Sequence, residues 1–264
     1  MLVDIHCHLD HSRFSKDLDK VIERCRKSEC VAVTSGVNTG TNKLALELGK
    51  KYKDVVKVSL GLYPIDALKK EIDSGDFPRT IEVVDIDKEL EFIKRNKDKI
   101  IAVGEAGLDF HWDINHKEEQ KENFLKVIEL VEKIKKPLIV HSRKAEREAI
   151  EMLESSNVKN ILMHCFSGRM NLVKRCISNG YNFSIPPIVV RVPQFKLLVK
   201  EVPITQLFSE TDSPYLSPIK GKRNEPINVK FVIDEVSKIK NMDKIEVEKN
   251  VFMNFQKIFL KNSK

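Results

Sequence analysis

A chain of 264 residues, 41% apolar and 32% charged, can bury a large core and is too ordinary in composition for a disordered or fibrous protein. Its net charge of +7 permits a polyanionic partner without requiring one, because a lysine-rich solvated surface gives the same figure. Five cysteines, an odd number with no CxxC pair, argue against a disulfide framework and a thiolate zinc site.

Strand-like runs rich in Val and Ile fall at residues 2–6, 31–37, 55–61, 100–105, 137–141, 160–164, 181–185 and 206–211. Amphipathic helical spacing separates most of them. Residues 17–28 place Leu18, Val21, Ile22 and Cys25 on one face, and residues 119–135 do the same with Phe124, Val127, Ile128 and Val131. Residues 147–155 and 172–179 are shorter examples. Such alternation implies parallel strands with crossover helices, and eight repeats suit a closed (β/α)₈ TIM barrel. An open doubly wound sheet is the rival, although no GxGxxG follows the first run. No linker divides the chain, so one domain over residues 1–264 is expected. The irregular stretch 213–228 follows the eighth run directly, which in a barrel puts it over the C-terminal mouth. The opening run Met1-Leu-Val-Asp-Ile-His lacks a basic stretch followed by an apolar one, so no leader is expected, and no apolar stretch approaches the ~20 residues that span a bilayer. The expected setting is the cytoplasm, without a membrane and without an obligate protein partner.

Metal-ligand side chains recur where the predicted strands end. His6 and His8 close the first, two residues apart, so extended backbone turns both to one face. Glu105, His141 and His164 end the fourth, fifth and sixth, and Asp212 follows the eighth. Six N and O ligands are too many for one tetrahedral ion and suit two divalent ions sharing a carboxylate. His11, His111 and His116 fall in loops or helix starts and are expected to be solvated. Cys7 and Cys165 neighbour ligands, but strand alternation would turn both away from the mouth.

Six segments resemble those of the TatD-type metal-dependent deoxyribonucleases, within the broader amidohydrolase-like barrels. They are Asp4-Ile-His-Cys-His-Leu, Gly104-Glu-Ala-Gly-Leu-Asp109, Val140-His-Ser-Arg143, Met163-His-Cys-Phe-Ser-Gly168, Glu210-Thr-Asp-Ser-Pro-Tyr-Leu216 and Arg223-Asn-Glu-Pro226. Their order and spacing cover nearly the whole chain. The resemblance implies a two-metal hydrolase of DNA phosphodiester bonds using Mg, Mn or Zn; an exonuclease on single-stranded DNA or 3′ ends is the expected form, with endonuclease action and strand polarity left open by the sequence. It implies that His6, His8 and Asp212 bind one ion, that His141 and His164 bind the other, and that Glu105 bridges them. Two positions depart from the family pattern: Tyr63 stands in Gly61-Leu-Tyr-Pro64 where a histidine is usual, and Lys144 where an acidic residue often follows the arginine.

Two closely spaced divalent ions activate water and stabilise both oxygens of the displacement. Asp212 and Glu105 are therefore the expected catalytic carboxylates, with Asp212 as proton acceptor. Arg143 is the first candidate for a phosphate contact, because its fork matches phosphate geometry. Tyr63 is expected to donate a hydrogen bond to phosphate. Arg223 either contacts substrate or holds the 213–228 loop. Glu210 is expected to support the site by hydrogen bonding, Asp109 to order a loop, and Trp112 to stack on a base or to pack. Two rival functions remain open: a barrel hydrolase of a cyclic amide, lactone or phosphotriester, and a nucleic-acid-binding protein without catalysis. The first often carries a bridging lysine, which the fourth run lacks near its end. The second gives no reason for six converging ligands.

Overall fold

The computed structural model describes residues 1–68 and 79–260. Eight parallel strands run in chain order around one sheet: β1 (Leu2–Cys7), β2 (Cys30–Gly36), β3 (Val56–Leu62), β4 (Ala102–Asp109), β5 (Leu138–Arg143), β6 (Ile161–Met163), β7 (Asn182–Ile185) and β8 (Leu207–Ser209). All eight expected runs are strands. The end of β8 returns to β1, where the Asp212 amide donates to the His6 carbonyl at 2.9 Å and Ser209 Oγ to the Val3 carbonyl at 2.5 Å. Asp4 reinforces this seam by accepting from the Thr211 amide at 2.8 Å. The sheet is thus a nearly closed barrel, and the open-sheet rival falls.

The four expected helices are present as α1 (Leu18–Lys27), α4 (Lys117–Ile134), α5 (Glu146–Glu154) and α6 (Met170–Ser178). In α4 the expected stripe of Phe124, Val127, Ile128 and Val131 is buried. The outer ring also holds α2 (Thr39–Lys51), α3 (Ile86–Arg95), α7 (Pro193–Glu201), α8 (Val229–Lys240) and α9 (Lys244–Phe255), which pattern reading left unnamed. Among the described residues no helix is long and apolar enough to cross a membrane.

Two strands shift register where candidate ligands leave them. β1 slips against β2 between Asp4 and Cys7, and β4 slips against β5 between Val103 and Ala106. Such irregularities re-aim side chains, and here they deliver His6 and Glu105 to the mouth. Gly107, at φ 151°, lets β4 lie close to β5: a Cβ there would sit 2.0 Å from the His141 carbonyl oxygen. That oxygen belongs to backbone and cannot swing aside. Gly107→Ala should therefore cost about 3 kcal/mol, a Tm drop of roughly 6–12 °C by thermal denaturation. An unchanged Tm would show that the two strands can part freely.

Candidate metal centre

The C-terminal mouth of the barrel opens into a cavity of about 420 Å³. His6, His8, Glu105, His141, His164 and Asp212 all converge there. The two oxygens of Glu105 divide the histidines between them. Oε2 faces His6 Nε2 at 3.4 Å and His8 Nε2 at 3.6 Å. Oε1 faces His141 Nδ1 at 2.6 Å and His164 Nε2 at 3.3 Å. Asp212 Oδ1 stands beside the first pair, 3.7 Å from His6 and 3.3 Å from His8.

Each imidazole is held by its other nitrogen, which fixes which nitrogen is turned inward. His8 Nδ1 donates to the Ser35 carbonyl at 3.0 Å, and His6 Nδ1 meets the Ser35 hydroxyl at 3.0 Å. His141 Nε2 donates to Asp109 Oδ2 at 2.9 Å, and His164 Nδ1 to Glu210 Oε2 at 2.9 Å. Glu210 also accepts from Ser184 Oγ at 2.6 Å and from the Cys165 amide at 2.9 Å, the supporting role expected of it. Asp109 accepts from the His111 and Trp112 amides and so orders their loop, as expected, but it also orients His141.

The charges of the mouth are strongly coupled. Burial alone would depress His8, but hydrogen bonding and charge from Asp212, with Glu105 behind it, raise it to about 9. Burial likewise opposes protonation of His141, and Glu105 and Asp109 together lift it to about 9. His6 moves down, chiefly by burial and the neighbouring His164. Burial pushes Glu105 up, yet the charges of His164 and His141 hold it well below the usual carboxylate range. The set thus presents carboxylates and imidazoles, a hard-to-borderline N/O donor set suited to divalent cations. His6 Nε2 is buried and reached by no hydrogen bond. A bound cation would satisfy it, so these residues fit a metal.

Of the expected substrate contacts, Arg143 and Tyr63 line the cavity. The Arg143 guanidinium lies 5.5 Å over the Trp112 ring, and Trp112 lines the cavity as well. The Tyr63 hydroxyl donates to Asp109 Oδ2 at 2.5 Å and stands 3.5 Å from His141 Nε2. Arg223 is not brought to the cavity. It binds Asp17 at 2.6 and 2.7 Å, Glu225 at 2.9 Å and the Arg13 carbonyl at 2.6 Å, over the Phe14 ring. Its place matches the loop-holding role rather than the substrate contact. Arg223→Ala should therefore lower stability by about 1 kcal/mol, since the pairs are partly solvated. It should speed proteolysis within residues 213–228 and shift KM less than about threefold. A tenfold rise in KM with unchanged stability would restore Arg223 to the substrate.

Cys7 packs outward with Cys25 and Phe14, as strand alternation predicts. Cys165 does not: it lines the cavity. β6 ends at Met163, and Cys165 sits in left-handed backbone at φ 44°, so strand alternation no longer governs it. His11 also lines the cavity, with its ring 5.5 Å from that of Tyr215, rather than being simply solvated. Pattern reading assigned no role to Asp10, Arg79 or Tyr215, which line the same cavity. Asp10 follows the first histidine motif and Tyr215 lies inside the Asp212 segment, so both were within reach. Arg79 lies in a stretch without periodicity; it pairs with buried Asp66 and lies 5.1 Å over the Tyr63 ring.

The family model described as TatD related DNase matches residues 3–260. A metal-dependent hydrolase of Methanocaldococcus jannaschii, itself uncharacterised, is 40% identical over 97% of this chain and 96% of its own length. The deoxyribonuclease TATDN3 of Homo sapiens is 35% identical over 98% of this chain and 95% of its own length. The crystal structure of a TatD homologue from Escherichia coli K12 superposes with a TM-score of 0.85 over 98% of both chains. Its sequence identity is 22%, so that likeness speaks to the fold.

Proposed function

Given that the chain belongs to the TatD related DNase family of metal-dependent hydrolases, we propose that it cleaves phosphodiester bonds in DNA at strand ends, with two divalent cations held at the barrel mouth. The observation that carries this reading is the division of Glu105, whose two oxygens each face a separate histidine pair. His6, His8 and Asp212 would hold one cation, His141 and His164 the other, with Glu105 between them. Divalent cations bound there supply Lewis acidity toward phosphoryl oxygen and lower the pKa of water.

The protein's own groups do the rest. Burial pushes Asp212 up, yet in the metal-free site its contact with His8 and the charges of His164, His8 and His6 hold it below its ordinary value. It can therefore accept a proton from the attacking water. Arg143 offers a planar fork to a nonbridging phosphate oxygen, and Trp112 beneath it offers a face for a base. A cavity of about 420 Å³ is on the scale of one small ligand. A single-stranded end suits it, and a duplex would have to open. All five cysteines are free thiols, which suits a reducing cytoplasm.

The test is a metal-stripped preparation assayed on single-stranded DNA, duplex DNA and a lactone panel, with Mg, Mn or Zn restored in turn. Hydrolysis of DNA should vanish on chelation and return with metal. Turnover of lactones but not DNA would hand the site to the other barrel hydrolases. DNA binding that survives chelation without any cleavage would leave only a binding protein.

A further inference from the structure

Six lysines gather at the end of the barrel opposite the metal centre. A groove of about 570 Å³ lies between α2 and the starts of β3 and β4, and Lys50, Lys53, Lys57 and Lys99 stand around it. The strands run parallel, so these starts mark the N-terminal end, away from the mouth. Short contacts hold the rim together. Gly49 brings α2 so close to β3 that a Cβ on it would lie 2.3 Å from Val58 Cγ2. The Ile101 amide donates to the Val58 carbonyl at 2.9 Å, and Lys57 Nζ to the Lys53 carbonyl at 3.1 Å. In the next turn, Lys136 Nζ donates to the Ile100 carbonyl at 2.9 Å. One arc of ammonium groups thus runs from Lys50 past Lys97 and Lys99 to Lys136.

Little neutralises this arc. Lys51, one residue from Lys50, is paired with Asp19 at 3.3 Å, and elsewhere Lys126 pairs with Asp87 at 2.9 Å and Lys244 with Asp234 at 2.7 Å. None of the six has a carboxylate partner of that kind among the described residues. Glu47 lies in the groove and Asp98 between Lys97 and Lys99, but Asp54 is taken by Arg26 at 2.7 Å. Burial lowers the Lys136 ammonium from its ordinary value, Asp98 opposes that fall and the charge of Lys97 adds to it, so these cations feel one another. A single unpaired lysine is merely hydrated. Six along one groove leave a positive field that a polyanion relieves.

The lining narrows the choice of polyanion. Leu46, Val56, Val58 and Ile101 give the groove an apolar floor on which sugars can pack. It holds no aromatic ring on which a base could stack, so its grip is electrostatic and blind to sequence. Lysine ammoniums are point charges on flexible stems and suit phosphates repeated along a strand. None of the exposed large apolar side chains among the described residues lies on these turns, so a lipid surface would gain nothing beyond charge. Resting on the DNA reading above, we propose that this lysine groove holds the phosphodiester backbone of a single DNA strand at a distance from the mouth. One chain then grips a long strand twice. The eight residues of β4 separate the two places by roughly 26 Å, at about 3.3 Å per residue. At about 3.4 Å per stacked nucleotide, a strand of about four nucleotides seated at the mouth falls short of the groove.

The experiment uses the full chain and oligo(dT) of about four and about thirty nucleotides, below and above the usual span of one single-strand site. Binding is read by fluorescence anisotropy on chelated protein across a salt series. The long strand should bind the wild-type protein more tightly than the short one, with log K falling against log salt at a slope of about −3, the release expected when four or five phosphates are neutralised. Lys57→Gln/Lys99→Gln should make that slope shallower by about 1.4 and weaken long-strand binding about tenfold at low salt. Both side chains lie on the surface, so an unchanged Tm should accompany the loss. With metal restored, KM for the long strand should rise about tenfold in the double variant, while kcat and every constant for the short strand stay put. A long strand that binds no better than the short one overturns the groove, as does an affinity and slope unmoved by the double variant. Displacement of the strand by polyglutamate as readily as by unlabelled oligo(dT) of equal charge would hand the groove to an acidic protein. Cleavage of the short strand tests the phosphodiesterase reading alone. If that fails with every metal while the lysine-dependent binding holds, hydrolysis falls and the groove stands as a nucleic-acid surface.

Discussion

Glu105→Ala should abolish hydrolysis, by about a thousandfold or more, with the barrel left folded. The size follows from position: one carboxylate faces both histidine pairs, so its loss strips a ligand from each. Charge stabilisation by bound metal supplies several kcal/mol to such a transition state, and each 1.4 kcal/mol is tenfold. The fold should survive because the histidines can shed their protons once Glu105 is gone, which limits the cost of leaving a buried partner unpaired. Elemental analysis should show metal per chain falling along with turnover. Near-normal turnover with full metal content would remove Glu105 from the bridging position. The variant also has a pH signature in the metal-free protein. His141 is raised from 6.5 to about 9, so in the wild-type protein its contribution to stability is full below pH 6.5 and is lost as pH climbs through about 9. Glu105 is a principal cause of that rise, so the fall in Tm over this range should flatten in Glu105→Ala.

Asp109→Ala should weaken metal binding at the His141–His164 pair by about ten- to a hundredfold, the usual cost of removing a group that orients a ligating histidine. Asp109 does this by accepting from His141 Nε2, which leaves Nδ1 turned toward Glu105. Its loss also releases the His111 and Trp112 amides, so the loop beneath Arg143 should loosen. Tyr63→Phe sharpens the comparison. The sequence suggests a phenol that donates to phosphate, worth ten- to a hundredfold in rate. In the structure its hydroxyl donates to Asp109 instead, so we expect a loss of no more than about tenfold, with metal content unchanged. A loss in Tyr63→Phe equal to that of Asp109→Ala, again with full metal content, would return the phenol to the substrate. Isothermal titration with Mn or Zn beside steady-state kinetics separates these outcomes.

Local pattern carried a large part of this architecture. Val- and Ile-rich runs have one strong reading when helices of 3.6 periodicity alternate with them, and all eight strands follow from that. The α4 stripe was legible for the same reason. α2 and α3 were not singled out: α2 buries only Asn42 and Ala45, and buried Glu89 interrupts the apolar face of α3. The candidate ligands were legible because parallel strands in a barrel end at one mouth, which turns a position in sequence into a position in space.

The tertiary structure decided what depends on partners distant along the chain. The sequence by itself determined the strand count, the parallel order and the six converging donors, since these rest on periodicity and on residue type at strand ends. It could not tell that Asp109 takes the outer nitrogen of His141, because that bond joins residues 32 apart across β4 and β5. Nor could it separate the two roles of Arg223, whose carboxylate Asp17 lies 206 residues away. Cys165 shows the same limit at short range: alternation holds only while the backbone stays extended, and a left-handed residue immediately after His164 cancels it. Hydrogen-bond satisfaction is a property of the folded surroundings, so the unpartnered Nε2 of buried His6 became visible only once the barrel had closed around it.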